Sequence, residues 1–232
     1  RSSNRSRATT TNASQQLSNR KTGTVMPGRE RFRAGLLRYV EVPGAKLLRA
    51  LGFTPNAITI LGFLLCVAAA VLVAYGQLLP GGIVFLVGGG LDLFDGGLAR
   101  LTGTESPFGA LLDSVFDRLG EAALLVGLGI YGLRSGLSDD NPLLFVLIVL
   151  LALVFSQGVS YLRARGEGLG AFTRSGLMTR PERVVILGVG LVVDGLVSFT
   201  LIIWILLVIA LVSCFTLFQR MFTIRQILDK GG

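Results

Sequence analysis

Across 232 residues the chain is 51% hydrophobic and carries 22 Lys and Arg against 14 Asp and Glu, a formal charge of +8, with a positive mean hydropathy. Histidine is absent, which excludes Ser-His-Asp triads, Cys-His pairs and imidazole metal ligands together and leaves carboxylates, arginines or metal to carry any catalysis. No nucleic-acid partner is expected despite the charge, because no compact basic domain is left over once the apolar blocks are set aside.

Residues 1–28 are rich in Ser, Thr, Asn and Arg and have almost nothing to bury, so they are read as a tail that is disordered or derived from an expression vector. They contain no apolar core of a cleavable signal peptide, and an opening Arg in place of Met points to a longer parent chain with an upstream domain left open. From 29 to 53, basic and apolar positions alternate at helical spacing around Pro43. That pattern predicts an amphipathic juxtamembrane helix on the cytoplasmic surface, its Arg and Lys turned toward phosphates, with an ordinary lead-in helix as the equal alternative.

The apolar residues beyond this point come in blocks of membrane-spanning length, since about 20 residues at ~1.5 Å rise cross a hydrocarbon core of about 30 Å. Six blocks qualify: Pro55 to Gly76, Leu79 to Leu101, Pro107 to Leu133, Pro142 to Leu162, Arg183 to Phe199 and Thr200 to Phe222. The predicted fold class is therefore an all-α integral membrane protein, with a six-helix membrane domain over 54–228 preceded by the juxtamembrane helix. Of the 22 Lys and Arg, 11 precede Pro55, and only Arg134 falls in a loop on the opposite side. The positive-inside rule then puts both termini, the 2-3 connection and the 4-5 connection in the cytoplasm. Basic residues beside a bilayer suit anionic lipid head groups.

Within the spans, Cys66 and Cys214 are read as buried small hydrophobes. Gly88-Gly89-Gly90 is read as a site of close helix approach. Thr54-Pro55 opens the first span, with Pro in the first turn where its missing N–H costs little. Asp139 and Asp140 fall in an outer loop and are read as solvated, and Asp194 lies toward the outer end of span five. Glu121, one turn beyond Asp117, either supports that acid or makes a polar contact between helices.

One motif stands apart: Asp92-x2-Asp95-Gly96-x2-Ala99-Arg100-x8-Gly109-x3-Asp113-x3-Asp117. An ionisable group inside a membrane span is expensive and marks a functional site by default. Spacings of i,i+3 and i,i+4 put each acidic pair on one face of a helix. Span two runs outward to inward and span three begins just across a short loop, so the two pairs meet at one depth, near the cytoplasmic end. Four carboxylates so close repel one another unless cations neutralise them, and hard oxygen ligands favour Mg²⁺, Mn²⁺ or Ca²⁺ over zinc. Gly109, at i−4 from Asp113, leaves room on the same face for a ligand.

At these eight positions the sequence resembles the CDP-alcohol phosphotransferase family, whose signature has the same residues and gaps. The resemblance implies two divalent ions, Mg²⁺ or Mn²⁺, and a reaction in which an alcohol hydroxyl attacks the lipid-side phosphorus of a CDP-linked lipid and CMP leaves. It assigns Asp92, Asp95 and Asp113 to metal, and Asp117 in part to metal and in part to the general base. Gly96, Ala99, Arg100 and Gly109 match the nucleotide-binding part, where small residues admit cytidine and Arg100 offers a phosphate fork. Asp92 and Asn56 join them as candidates for contacting CDP. A homodimer in the cell membrane, with its active site on the cytoplasmic side, is expected on the same ground.

A second cluster bears on the acceptor: Ser160-Tyr-Leu-Arg163-Ala-Arg165-Gly-Glu167, then Arg180-Pro-Glu-Arg183, then Gln219-Arg220. It resembles the inositol-phosphate branch of the family, the phosphatidylinositol phosphate synthases and their archaeal counterparts. By that resemblance Arg163, Arg165, Arg180 and Arg220 bind the phosphate of a phosphorylated polyol, with positive-inside anchoring as the plain alternative for each. Arg163 stands where bacterial members often have lysine, which keeps the charge but changes the geometry. Glycerol 3-phosphate is the nearest alternative acceptor, and the lipid tail, diacylglycerol or archaeal diether, is left open. Two other classes compete. Aromatic prenyltransferases also clamp diphosphate with intramembrane aspartates, but their acidic motifs are spread farther apart. A cation transporter would need a path to both faces, whereas the outer half offers only Asp194 as an ionisable group within a span.

Overall fold

A computed structural model describes residues 42–135, 141–172, 176–197 and 201–231. The expected tail 1–28, the part of the expected juxtamembrane segment before residue 42, and Asp139 and Asp140 lie outside the described residues. All regular structure among the described residues is helical. It runs α1 (Pro55–Ala74), α2 (Leu78–Thr102), α3 (Pro107–Arg134), α4 (Pro142–Gly168), α5 (Arg180–Val197) and α6 (Leu201–Gly231), after a helical run over 42–50.

Three of these helices start by the same device. Thr54, Ser106 and Asn141 each precede a proline, and their side chains accept hydrogen bonds from the backbone N–H of Ala57 (3.3 Å), Gly109 (3.0 Å) and Leu144 (3.2 Å). A capping oxygen and a proline that needs no N–H partner together fix where each helix begins. At the other end of α2, Gly103 adopts a left-handed φ of 67°. That turn lets α3 begin a few residues later, so the last turns of α2 and the first turns of α3 lie at the same end of the bundle.

Helix α1 packs along both α2 and α3, α2 along α5, α5 along α6, α6 along α4, and α4 along α3. The six thus close into a ring in which each helix has two principal neighbours. Its interior is apolar, with Phe85, Leu124, Leu128, Phe145, Leu187, Leu191 and Leu206 almost fully buried. Glycines set the closest approach. A Cβ on Gly88 would lie 2.9 Å from the Gly62 carbonyl oxygen, and one on Gly89 would lie 2.7 Å from Val184 Cγ1, so both positions serve packing, as expected. Gly90 has nothing near it. The run 42–50 joins this body through Ala45, buried against Ile58 and Leu98.

Helices α1, α2, α4 and α6 are long and apolar enough to cross a membrane. Their outward faces carry exposed large apolar side chains such as Leu64, Val71, Leu147 and Leu211, a surface suited to lipid rather than water. Helix limits differ from the hydropathy blocks at three places. Helix α4 continues to Gly168 instead of stopping near Leu162, and ends where Gly170 turns left-handed and Ala171 N–H bonds the Gly166 carbonyl at 2.9 Å. Helix α5 begins at Arg180 instead of Arg183, because Glu182 accepts the Thr179 N–H at 3.0 Å and caps the turn. Helix α6 runs to Gly231, well past Phe222. Hydropathy marks where a chain leaves lipid, whereas a helix continues until its backbone meets a stop.

Candidate functional site

The end of the ring formed by the α2–α3 turn gathers the acidic motif. Asp95 is buried, and both its oxygens are held: Thr59 Oγ1 of α1 donates to Oδ2 at 2.6 Å, and the Gly96 N–H donates to Oδ1. Oxygens of Asp92, Asp95 and Asp113 lie within 4.8 Å of one another. Asp113 Oδ1 is buried and lacks a hydrogen-bond partner. Three converging carboxylates, one with an unsatisfied buried oxygen, match the hard, oxygen-only donor set of a divalent cation such as Mg²⁺ or Mn²⁺.

Asp117 stands one turn farther along α3 and is held differently. Arg180 of α5 donates through Nη1 to Asp92 Oδ2 at 2.9 Å and also to Asp117 Oδ2. A narrow gap lined by Asp92, Asp95, Asp113, Asp117 and Arg180 runs between these groups. Its apolar flank includes Phe63 and Phe116, stacked with centroids 4.7 Å apart.

On one side of the acids opens a cavity of about 230 Å³. Asn56, Gly96, Ala99, Arg100 and Gly109, the nucleotide residues expected from the sequence, all line it beside Asp95 and Asp113. Asp92, also expected to contact CDP, lines the gap instead. Arg100 folds back toward Gly96, where a Cβ would lie 3.5 Å from Nη1. A Cβ on Gly109 would lie 3.2 Å from Asn56 Oδ1, so a side chain there would crowd both the amide and the cavity.

A second cavity of about 280 Å³ opens on the other side of Asp113 and Asp117. Three of the four arginines expected at the acceptor, Arg163, Arg180 and Arg220, are in its wall. Arg220 is buried and donates to the Val159 carbonyl at 2.9 Å, and Arg163 is exposed and pairs with Glu167 at 3.0 Å. Arg165 is exposed and is not part of that wall. Two arginines outside the expected set are part of it, Arg118 and Arg183. Arg118 donates to the Ser114 carbonyl at 2.5 Å and reaches the Ser160 carbonyl at 3.4 Å. Arg183 is fully buried against Glu121. Its spacing of i+3 from Arg180 puts both on one helix face, a signal that could have found it. Of the remaining acids, Asp194 accepts the Leu201 N–H at 2.6 Å, where it caps the start of α6 at the opposite end of α5 from Arg180 and Arg183.

A cation site flanked by two cavities that share Asp113 can hold two substrates and join them. Comparison with known proteins agrees. The family profile for CDP-alcohol phosphatidyltransferase matches residues 53–216. The chain is 36% identical over 199 residues to the phosphatidylinositol phosphate synthase of Mycobacterium marinum, covering 83% of this chain and 82% of that one. It is 35% identical over 187 residues to the archaetidylinositol phosphate synthase of Pyrococcus horikoshii, covering 80% and 91%. Among solved structures, the Mycobacterium tuberculosis phosphatidylinositol phosphate synthase with CDP-DAG bound superposes with a TM-score of 0.71 at 32% identity, covering 80% of this chain and 94% of that one. The same enzyme in complex with manganese and citrate gives 0.71 at 33% identity, covering 79% and 88%.

Proposed function

The chain belongs to the CDP-alcohol phosphatidyltransferase family, and from that membership we propose that it transfers a phosphatidyl group from CDP-diacylglycerol to a hydroxyl of inositol 1-phosphate, giving phosphatidylinositol phosphate and CMP. The observation that carries this reading is the pair of cavities meeting at Asp113 and rimmed by different chemistry: small residues and one arginine on one side, five arginines on the other. CDP fits the first. A phosphorylated polyol fits the second, since guanidinium groups bind phosphate oxygens in a bidentate fashion.

Asp92, Asp95 and Asp113 would hold divalent metal, with Asp117 at the edge of the group, and two Mg²⁺ or Mn²⁺ ions are the proposed complement. When bound, the metal withdraws charge from the diphosphate and favours departure of CMP. The chain's own residues do the rest. Thr59 and the Gly96 N–H fix the Asp95 carboxylate, and Asn56, Gly96, Ala99, Arg100 and Gly109 seat the nucleotide. The arginines of the second cavity, Arg163, Arg180 and Arg220 among them, orient the acceptor phosphate. Asp117, in the wall of that cavity and of the gap beside it, takes the proton from the acceptor hydroxyl. The hydroxyl oxygen bonds to the lipid-side phosphorus as that phosphorus releases its bond to the bridging oxygen of CMP.

All six helices are proposed to cross the cell membrane, with both termini and the site at the cytoplasmic face. The polar residues of α3 and α5 support this, because they are concentrated on the faces turned toward the site, while Leu111, Val115, Leu119, Val126 and Ile130 on α3, and Val185, Val189, Val193 and Leu196 on α5, form exposed apolar stripes at helical spacing. The helical run 42–50 is proposed as the end of a juxtamembrane helix, and a homodimer as the working form.

The test is CMP release by purified protein in detergent with CDP-diacylglycerol and Mg²⁺ or Mn²⁺, offering inositol 1-phosphate, glycerol 3-phosphate, serine and inositol in turn. Release is expected with inositol 1-phosphate and is expected to fall about 10²- to 10⁴-fold in Asp117→Asn. Preference for glycerol 3-phosphate would keep the metal site and overturn the acceptor.

A further inference from the structure

Thr59 ties the acidic trio to a helix outside the motif. Its hydroxyl lies 2.6 Å from Asp95 Oδ2 and 3.2 Å from the Pro55 carbonyl oxygen. A threonine hydroxyl has one proton to donate, and the shorter distance gives it to Asp95. Packing sets this separation. Three positions farther along α1, a Cβ on Gly62 would lie 3.0 Å from the Gly88 carbonyl oxygen of α2, so the two backbones run close enough for two short side chains to meet. Ile58 and Leu98, fully buried with Ala45, brace the same pair of helices. Among the described residues, Thr59 joins Asp95 and Asp113 in lining both the gap between the acids and the nucleotide cavity.

The three acids are held in three different ways. Asp92 is paired with the cation Arg180 at 2.9 Å, Asp113 has a buried oxygen with no hydrogen-bond partner, and Asp95, only 7% exposed, meets a neutral hydroxyl. A charged partner competes with a metal ion for the carboxylate, whereas a neutral donor fixes its direction and leaves its charge in place. Direction bears on which ion fits. Ca²⁺ takes about six to eight oxygens at about 2.3–2.6 Å and readily grips a carboxylate by both of them, while Mg²⁺ demands octahedral ligands at about 2.0–2.1 Å.

We propose that Thr59, by holding Oδ2, limits Asp95 to one ligating oxygen and so sets the preference of the site for a small octahedral ion, Mg²⁺ or Mn²⁺, over Ca²⁺. The carboxylate cannot turn both oxygens on one ion without giving up the hydroxyl, and the Gly96 N–H on Oδ1 opposes the same rotation. Thr59 is thus a positioning residue, acting through Asp95. The inference deepens the reading of Asp92, Asp95 and Asp113 as metal ligands and rests on it.

The test measures metal binding without turnover. Mn²⁺ is titrated into purified full-length protein in detergent and its free fraction is read by electron paramagnetic resonance, with Ca²⁺ and then Mg²⁺ added as competitors. Wild type is compared with Thr59→Val, which keeps the branched shape but loses the hydroxyl, and with Thr59→Ser, which keeps the hydroxyl; melting temperatures are recorded for all three. Thr59→Val is expected to weaken Mn²⁺ binding about tenfold and to shift the ratio of Ca²⁺ to Mn²⁺ affinity toward Ca²⁺ by about fivefold or more, with Thr59→Ser returning the ratio to within about twofold of wild type. An unchanged ratio in Thr59→Val, whether or not Mn²⁺ binds more weakly, would mean that the hydroxyl only steadies the site and would overturn the inference while leaving the metal ligands in place. A shifted ratio that Thr59→Ser fails to restore would trace the effect to packing and overturn it as well. If Thr59→Val does not fold, Thr59→Ala decides on the same criterion. Wild-type protein that binds no Mn²⁺ would sink the metal reading, and the inference with it.

Discussion

The two cavities are built from different distances along the chain. Everything named in the nucleotide cavity lies between Pro55 and Asp113, on the first turns of α1, the last turns of α2, the first turns of α3 and the turn joining α2 to α3. The acceptor cavity draws on α3, α4, α5 and α6, from Asp113 to Arg220. A site made from neighbouring turns carries its geometry in its spacing, because i,i+3 and i,i+4 already state which residues share a face. A site made from four packed helices does not. Which arginine faces the cavity there depends on how each helix is rotated, and that is decided by contacts elsewhere in the ring.

The sharpest way to break this comparison is at the residue both cavities share. Asp113 lines each of them and belongs to the acidic trio. Asp113→Asn keeps the shape but removes a charged ligand, so turnover should fall by more than the about 10- to 100-fold that outer partners of a metal site typically give. Titrating Mn²⁺ into the variant should restore little of it. Near-normal turnover at saturating metal would mean that the cation is held without Asp113 and that the cavities are joined by something else.

Next in size is a crossed pair of changes, one on each side. Gly109→Val adds a side chain against Asn56, where even a Cβ sits at 3.2 Å, and should raise the KM for CDP-diacylglycerol about tenfold while sparing the acceptor KM. Arg220→Lys keeps the charge but loses the planar fork, and should raise the acceptor KM about tenfold while sparing the CDP-lipid KM. Steady-state kinetics with each substrate varied separately reads both. If either variant moved both constants together, the cavities would be one site rather than two.

Particular residues explain what could be read from sequence. Thr54-Pro55, Ser106-Pro107 and Asn141-Pro142 announce helix starts because cap and proline are adjacent in the chain. Gly96, Ala99, Arg100 and Gly109 were legible because they stand in one contiguous motif, whereas Asn56, on α1, was reached only through the family resemblance. Glu121 was ambiguous because its partner, Arg183, is 62 positions away and on a helix that is not its principal neighbour. Arg118, directly after Asp117, drew no reading from the sequence, because only packing turns it toward Ser160. The continuation of α4 past Leu162 was hidden by its polar sequence, since Arg163 to Gly168 look like a loop to a hydropathy count while the backbone stays helical until Gly170.

Arg165 is where the local rule and the packed structure disagree, and it sets the smallest expected effect. Its motif neighbour Arg163 lines the acceptor cavity, but two positions along a helix is a rotation of about 200°, which faces the opposite way. Arg165 is accordingly exposed and outside the cavity wall. Arg165→Ala should leave the acceptor KM within about twofold, the usual range for an exposed side chain away from such features. Equal losses in Arg163→Ala and Arg165→Ala would mean that the motif acts as a unit, with the exposed end of α4 turning over the cavity when the acceptor binds. A loss in Arg163→Ala alone would mean that rotation on the helix, and not nearness in the sequence, selects which arginine meets the phosphate.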